Sequence, residues 1–110
     1  RVPDPADVLV VLDEIQLPLG TVRIRLEGSH GGHNGLRSAI EHLGTQKFPR
    51  LRIGVGHKKA GDDLRDHVLS TFAPDEKPDV ERAIKTAAEA VLCCVAEGVP
   101  TAMNRYNKTA

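Results

Sequence analysis

The 110-residue sequence predicts an α/β fold in which a mixed, twisted sheet is flanked by helices. Three patterns support this prediction. Residues 8–12 are apolar without alternation, which is typical of a central strand buried on both faces. Residues 21–27 alternate between apolar and polar side chains, which indicates a half-buried strand. Further segments carry apolar residues at helical spacing, so the predicted order of elements is β-β-α-β-α-α-α.

The strands are separated by short turn segments. Pro18-Leu19-Gly20 predicts a turn between the strand at 8–12 and the alternating strand at 21–27. A third strand is predicted at 51–55, where Gly54 and Gly56 indicate that another part of the chain packs closely on it. On this strand Arg52 lies between Leu51 and Ile53, so its side chain should point to the opposite face.

Four helices are predicted from apolar spacing and from their end signals. The first has Asn34 as its N-cap and Gly44 just past its end. A short helix is predicted over 62–72. The longest helix begins at Asp75 and stops at Gly98, and a short final helix starts at Pro100. The expected buried stripe of the longest helix consists of Val80, Ile84, Ala87, Val91 and Val95.

Composition indicates one domain with an aliphatic core, because only three of the residues are aromatic. No apolar run approaches the roughly 20 residues of a membrane-spanning helix. Cys93 and Cys94 are adjacent in a helical pattern and face different directions, which argues against a disulfide and favours a reducing compartment. The formal net charge is zero, but residues 22–59 contain eight cations and two anions. This local surplus favours a partner that carries phosphate.

A glycine-rich loop at residues 28–36 is the most informative segment. Its four glycines separate His30, His33 and Asn34 between a predicted strand and a predicted helix. A glycine-rich loop that leads into a helix N-terminus is suited to binding anions. The alternative is a flexible turn in which Asn34 is only a helix cap.

Four ordered segments resemble the bacterial-type peptidyl-tRNA hydrolase family. They are LDEIQLPLG at 12–20, GGHNGLRS at 31–38, RLRIGVGH at 50–57 and AMNRYN at 102–107. Leu12, Gln16, Glu27, Ser29 and Lys58 depart from the residues usual in that family. The resemblance implies the same α/β fold without the N-terminal strands, so that residues 1–110 would form a single partial domain.

The resemblance also implies a chemistry, the hydrolysis of the ester between a peptide and the 3′-terminal ribose of tRNA. Asp13 would orient the imidazole that acts as base, which in this family comes from a preceding N-terminal segment. Asn34 would position water or the substrate carbonyl, and His33 would line the same crevice. Arg23 and Arg52 would contact the tRNA 5′-phosphate. His57 would border the entrance to the site.

The resemblance further implies peptidyl-tRNA as the partner, no cofactor, no metal, no membrane and a monomer when the domain is complete. The expected location is the cytoplasm, or the matrix or stroma of an organelle. The 110 residues alone are expected to be inactive or weakly active.

Several alternatives remain open. In the structural alternatives, Asp13 only forms a turn, Asn34 only caps the helix and His33 is an ordinary loop histidine. Others are His33 as a substitute base, a metal site formed by His30 and His33 with Asp13, and a non-catalytic RNA-binding relative of the kind found among organellar intron-splicing factors.

Overall fold

The computed structural model describes residues 4–56 and 74–107. Short 3-10 helices occupy Pro5–Asp7 and Pro74–Glu76. The α/β class with a mixed sheet agrees with the sequence prediction. The main elements are strands β1 (Val10–Glu14), β2 (Val22–Arg25) and β3 (Arg50–Gly54), and helices α1 (Asn34–Leu43), α2 (Lys77–Glu97) and α3 (Val99–Tyr106).

The three strands are arranged in the order β1-β3-β2. Strand β3 runs parallel to β1 and antiparallel to β2, and Arg52 of β3 is paired with Leu12 on one side and Arg23 on the other. The prediction that the apolar run at 8–12 forms the central strand is therefore wrong within the described residues. Strand β1 lies at an edge, where Val11 is 47% exposed. The apolar run indicates a strand, but strand order depends on pairing between distant segments.

Helices cover both faces of the sheet, and each face has its own core. On one face, α2 and α3 pack over Val22, Ile24 and Leu51. On the other, α1 and the segment before β3 contribute Leu36 and Phe48, which pack with Leu12. Because adjacent residues of a strand point to opposite faces, β3 directs Leu51 into the first core and Arg52 away from it, as predicted.

The buried face of α2 differs from the predicted stripe. Its buried residues are Ala83, Ala87, Ala90 and Cys93, so only Ala87 of the five predicted residues is fully buried. Ile84 is 61% exposed and Val95 is 81% exposed. The helix can pack close to the sheet when small side chains face it. The larger side chains of Ile84 and Val95 therefore point to the other side of the helix.

Glycines define several boundaries as predicted. Gly44 ends α1 in the left-handed conformation (φ 73°), and its N–H donates to the Ile40 carbonyl. Gly98 follows the last residue of α2. The expected close packing at Gly54 is confirmed, because a Cβ there would clash with the Pro18 carbonyl and lie 2.8 Å from Thr21 Oγ1.

Asn107, just after α3, pairs with the backbone of β2. Its Oδ1 accepts from the Ile24 N–H, and its Nδ2 donates to the Ile24 carbonyl, both at 2.8 Å. The carboxamide therefore makes the two hydrogen bonds that a residue of a neighbouring strand would make with the edge of β2. In this way it attaches the end of α3 to the sheet.

The helix predicted over 62–72 lies outside the described residues. Within the ranges 4–56 and 74–107, no helix combines the length and the apolar character needed to cross a membrane.

Candidate functional site

Asp13 and His33 meet at the carboxyl end of β1. His33 Nε2 lies 2.9 Å from Asp13 Oδ1, and the two side chains are 26% and 36% exposed. In open α/β sheets, ligands bind in crevices at the carboxyl ends of the strands. Two predicted site residues that are twenty positions apart in the sequence are thus in direct contact at such a position.

His33, rather than Asn34, is the N-cap of α1. The backbone of His33 is extended (φ −81°, ψ 116°), and its Nδ1 accepts the Leu36 N–H at 3.1 Å. Asn34 is the first residue of the helix, so the predicted Asn34 cap is wrong. An imidazole nitrogen here supplies the acceptor that Asn, Asp, Ser or Thr supplies at most helix starts. Asn34 is exposed, and its carboxamide makes no hydrogen bond to the rest of the described chain.

Glycines shape the loop that carries His33 to Asp13. Gly31 (φ 57°) and Gly32 (φ 85°) are both left-handed, and a Cβ on either would meet no atom within 4 Å. They are therefore required by backbone conformation and not by lack of space. The Gly32 N–H donates to His30 Nδ1, and the His33 N–H donates to the His30 carbonyl, both at 2.9 Å. His30 thus closes the turn that precedes α1.

Arg52 lies on the face of the sheet opposite the α2–α3 core, next to Glu14. Arg52 Nε is 3.3 Å from Glu14 Oε1, and the two side chains are 19% and 21% exposed. The distance allows an ion pair, but this buried Nε makes no hydrogen bond within the described residues. Arg23 is paired with Arg52 across the strands. Like charges placed directly opposite each other are unfavourable, and Glu14 offsets part of this repulsion.

Glu14 was not predicted to act on Arg52. It follows Asp13 directly, and strand alternation turns it toward the opposite face. Strand alternation therefore predicts the face of the sheet on which Glu14 lies. Its contact with Arg52 could not be predicted in this way, because it depends on the pairing of β1 with β3.

Arg50 is a further residue that sequence reasoning missed. It is fully buried, and its guanidinium donates to the carbonyls of Phe48 (3.1 Å), Gly28 (2.8 Å) and Gln46 (2.8 Å). It also lies 4.5 Å from the centre of the Phe48 ring. Burial, together with the charge of Arg52, lowers the pKa of Arg50 from its ordinary value. The hydrogen bond from Arg50 to the Gly28 carbonyl holds the first residue of the glycine-rich loop in place.

Some of the residues predicted for the site fall outside the part of the chain that the structure describes. His57, predicted to border the entrance, lies outside the described residues, as do Lys58 and Lys59. Within the described ranges, no three His, Cys, Asp or Glu side chains come together in a group suited to a metal ion. Cys93 and Cys94 are both free thiols.

The sequence and the fold both match known proteins. The sequence model of the peptidyl-tRNA hydrolase family matches residues 2–110. A peptidyl-tRNA hydrolase of Synechococcus sp. (strain JA-3-3Ab) is 55% identical over 104 residues, which are 94% of this chain and 46% of that protein. The peptidyl-tRNA hydrolase of Symbiobacterium thermophilum is 50% identical over 103 residues, 94% of this chain and 54% of that protein.

A solved structure supports the same assignment. The crystal structure of peptidyl-tRNA hydrolase from Acinetobacter baumannii superposes with a TM-score of 0.82 at 38% sequence identity. The superposition covers 94% of this chain and 53% of that one. The chain thus spans about half the length of the relatives that it matches.

Proposed function

The chain belongs to the peptidyl-tRNA hydrolase family, and on this premise we propose that the intact protein hydrolyses the ester between a peptide and the 3′-terminal ribose of tRNA. The observation that carries the proposal is the 2.9 Å contact between Asp13 and His33 at the carboxyl end of β1. It is supported by the basic residues of β2 and β3 on the neighbouring part of the sheet.

In the proposed mechanism, Asp13 is the carboxylate that orients the catalytic base. Ester hydrolysis needs an activated water, and an imidazole held by a carboxylate suits this task at neutral pH. Oδ1 of Asp13 contacts His33, which leaves Oδ2 for a second imidazole. We propose that this base comes from outside residues 1–110, in agreement with the half-length match to the relatives.

Asn34 is proposed to position the attacking water or the substrate carbonyl. Its exposed carboxamide lies at the start of α1, next to the Asp13–His33 contact. A carboxamide can donate to a carbonyl oxygen and accept from water. The positive end of the α1 dipole favours the negative charge that develops on the substrate oxygen.

Arg23 and Arg52 are proposed to bind the 5′-phosphate of the tRNA, with His57 near the entrance. A guanidinium binds phosphate through two parallel hydrogen bonds. The paired positions of Arg23 and Arg52 and the unsatisfied Arg52 Nε support this role. Glu14 would hold the Arg52 side chain in place before substrate binds.

Steady-state kinetics of the intact protein on peptidyl-tRNA test the proposal. We expect wild type to release the peptide and Asp13→Asn to lower kcat by about 100-fold or more, because the orienting charge acts mainly in the transition state. KM should change little. Glu41→Gln, an exposed carboxylate on α1, is the control and should match wild type.

Two outcomes would contradict the proposed function. One is an Asp13→Asn variant with the wild-type kcat, which would remove Asp13 from the mechanism. The other is an intact wild-type protein that binds tRNA without cleaving the ester, which would favour a non-catalytic RNA-binding role.

A further inference from the structure

Both nitrogens of the His33 ring have defined partners. The backbone N–H of Leu36 points at Nδ1 at 3.1 Å, and Asp13 Oδ1 faces Nε2 at 2.9 Å. A backbone N–H can only donate, so Nδ1 must be the unprotonated, accepting nitrogen. A neutral imidazole carries one ring proton. That proton is therefore on Nε2, where it is donated to Asp13.

The position of the ring also depends on the absence of a side chain at residue 35. A Cβ on Gly35 would lie 2.9 Å from His33 Cε1 and 3.3 Å from Nδ1. Gly35 lies inside the first turn of α1 and does not have a positive φ. The helical backbone at this position therefore does not require glycine, which costs about 0.5–1 kcal/mol relative to alanine in a helix. What glycine provides here is the space that the imidazole occupies.

We propose that Gly35 and the Leu36 N–H together hold His33 as an Nε2–H donor to Asp13, so that His33 is a positioning residue for Asp13 and not a base. Protonation of Nδ1 would replace the acceptor of the Leu36 N–H with a second donor and break the cap. His33 has no free lone pair with which to activate water. Its effect on the reaction passes through Asp13, and in this respect the inference rests on the proposed function.

The tautomer can be measured without any activity. In the intact protein labelled with ¹⁵N-histidine, we expect His33 at neutral pH to show a protonated, pyrrole-type Nε2 and an unprotonated, pyridine-type Nδ1. The Nε2 proton should show a contact to Asp13. A proton on Nδ1, or on both nitrogens, at neutral pH would overturn the inference, whatever the protein catalyses.

Two variants separate the Asp13 contact from the helix cap. His33→Asn keeps a short acceptor for the Leu36 N–H but is too short to reach Asp13. Gly35→Ala leaves both His33 and Asp13 in the chain but displaces the ring. We expect each to lower kcat on peptidyl-tRNA by about 10- to 100-fold, with KM changed much less, because a misplaced catalytic group costs rate more than binding. His33→Asn should keep the wild-type Tm.

Gly44→Ala is the matched control, because Gly44 is the left-handed residue just past the other end of the same helix and a Cβ there would meet no atom within 4 Å. It should lower Tm through strain in the left-handed conformation while the His33 tautomer and kcat stay as in wild type. A Gly35→Ala variant that keeps the wild-type tautomer, Asp13 contact and kcat would contradict the proposal. If the wild-type protein does not cleave peptidyl-tRNA, the proposed function fails, whereas the tautomer in wild type and in Gly35→Ala still decides the placement of His33.

Discussion

Arg50 has a completely buried guanidinium that is satisfied by the carbonyls of Phe48, Gly28 and Gln46. A carbonyl carries only part of the charge of a carboxylate, so three of them with a fixed geometry are needed to offset the desolvation of the cation. The planar guanidinium can reach three separate carbonyls, which an ammonium group on a single stem cannot do in the same geometry.

Replacement of Arg50 by lysine should therefore destabilise the protein strongly. Arg50→Lys leaves at least one of the three carbonyls without a donor, and we expect the free energy of unfolding to fall by about 2–4 kcal/mol. Urea unfolding monitored by circular dichroism measures this change. Arg25→Lys is the control, because Arg25 is the exposed cross-strand partner of Arg50. Equal unfolding midpoints for the two variants would show that the three carbonyl contacts do not stabilise the fold.

At the scale of secondary-structure elements, polar contacts at the C-terminal end of α3 add to its packing on the core. Asn107 pairs with the backbone of β2, and Arg105 forms an ion pair with Glu97 at the end of α2 (2.8 Å). The first contact satisfies backbone groups at the edge of β2, and the second joins the two consecutive helices at the surface.

The loss of the Asn107 carboxamide should weaken the edge of β2. Asn107→Ala removes both hydrogen bonds to Ile24, and we expect a loss of about 1–3 kcal/mol because two partly buried backbone groups lose their partners. Amide hydrogen exchange at Ile24 should accelerate more than exchange at Leu51 in the centre of the sheet. Asn104→Ala, at an exposed position of α3, should leave both rates unchanged. Unaltered exchange at Ile24 in Asn107→Ala would contradict the edge role.

The Glu97–Arg105 pair should make stability depend on acid pH. Two hydrogen bonds from Arg105 hold the pKa of the Glu97 carboxyl below its ordinary value of 4.5. A depressed pKa in the folded state adds stability that is present above pH 4.5 and is lost as the pH falls through the folded value. The Tm difference between wild type and Glu97→Gln should therefore narrow below pH 4.5.

The control for this pH dependence is Glu89→Gln on the same helix, where no arginine pairs with the carboxylate within the described residues. Its Tm difference from wild type should stay constant over the same range. If the Glu97→Gln difference is also constant from pH 7 to pH 3, the ion pair makes no contribution linked to proton binding. Because both Glu97 and Arg105 are exposed, added salt should reduce the effect.

At the scale of the whole molecule, the sheet separates two kinds of surface. The α2–α3 face contains the larger core, whereas the opposite face carries the side chains of Arg23 and Arg52. The helices on the first face stabilise the sheet without covering these two cations.

The proposed phosphate contact can be tested on substrates of two sizes. Arg52→Ala should raise KM for peptidyl-tRNA by about 10-fold or more, because a charge-assisted hydrogen bond is lost. The salt dependence of binding should fall by roughly 0.7–0.9 units of slope. A minimal substrate without the 5′-phosphate should be cleaved by wild type and variant alike. An equal loss on both substrates would make Arg52 a structural partner of Glu14 only.

The sequence predicts the elements better than it predicts their arrangement. The ends of α1 and α2 at Gly44 and Gly98 follow from local backbone preferences, so they can be predicted from a few residues. The face of Arg52 follows from strand alternation in the same way. The order of the strands could not be predicted, because parallel pairing of β1 with β3 depends on hydrogen bonds between segments forty residues apart.

For the candidate site, Asp13, His33 and Asn34 were predicted from the sequence, but their contacts were not. Only the fold brings His33 to Asp13, makes His33 the helix cap in place of Asn34, and buries Arg50 beneath the loop. Local spacing determines which residues can form a helix, a strand or a loop and supports the family assignment. Contacts between distant residues decide which face of α2 is buried and which nitrogen of His33 carries the proton, because these depend on atoms that meet only in the folded chain.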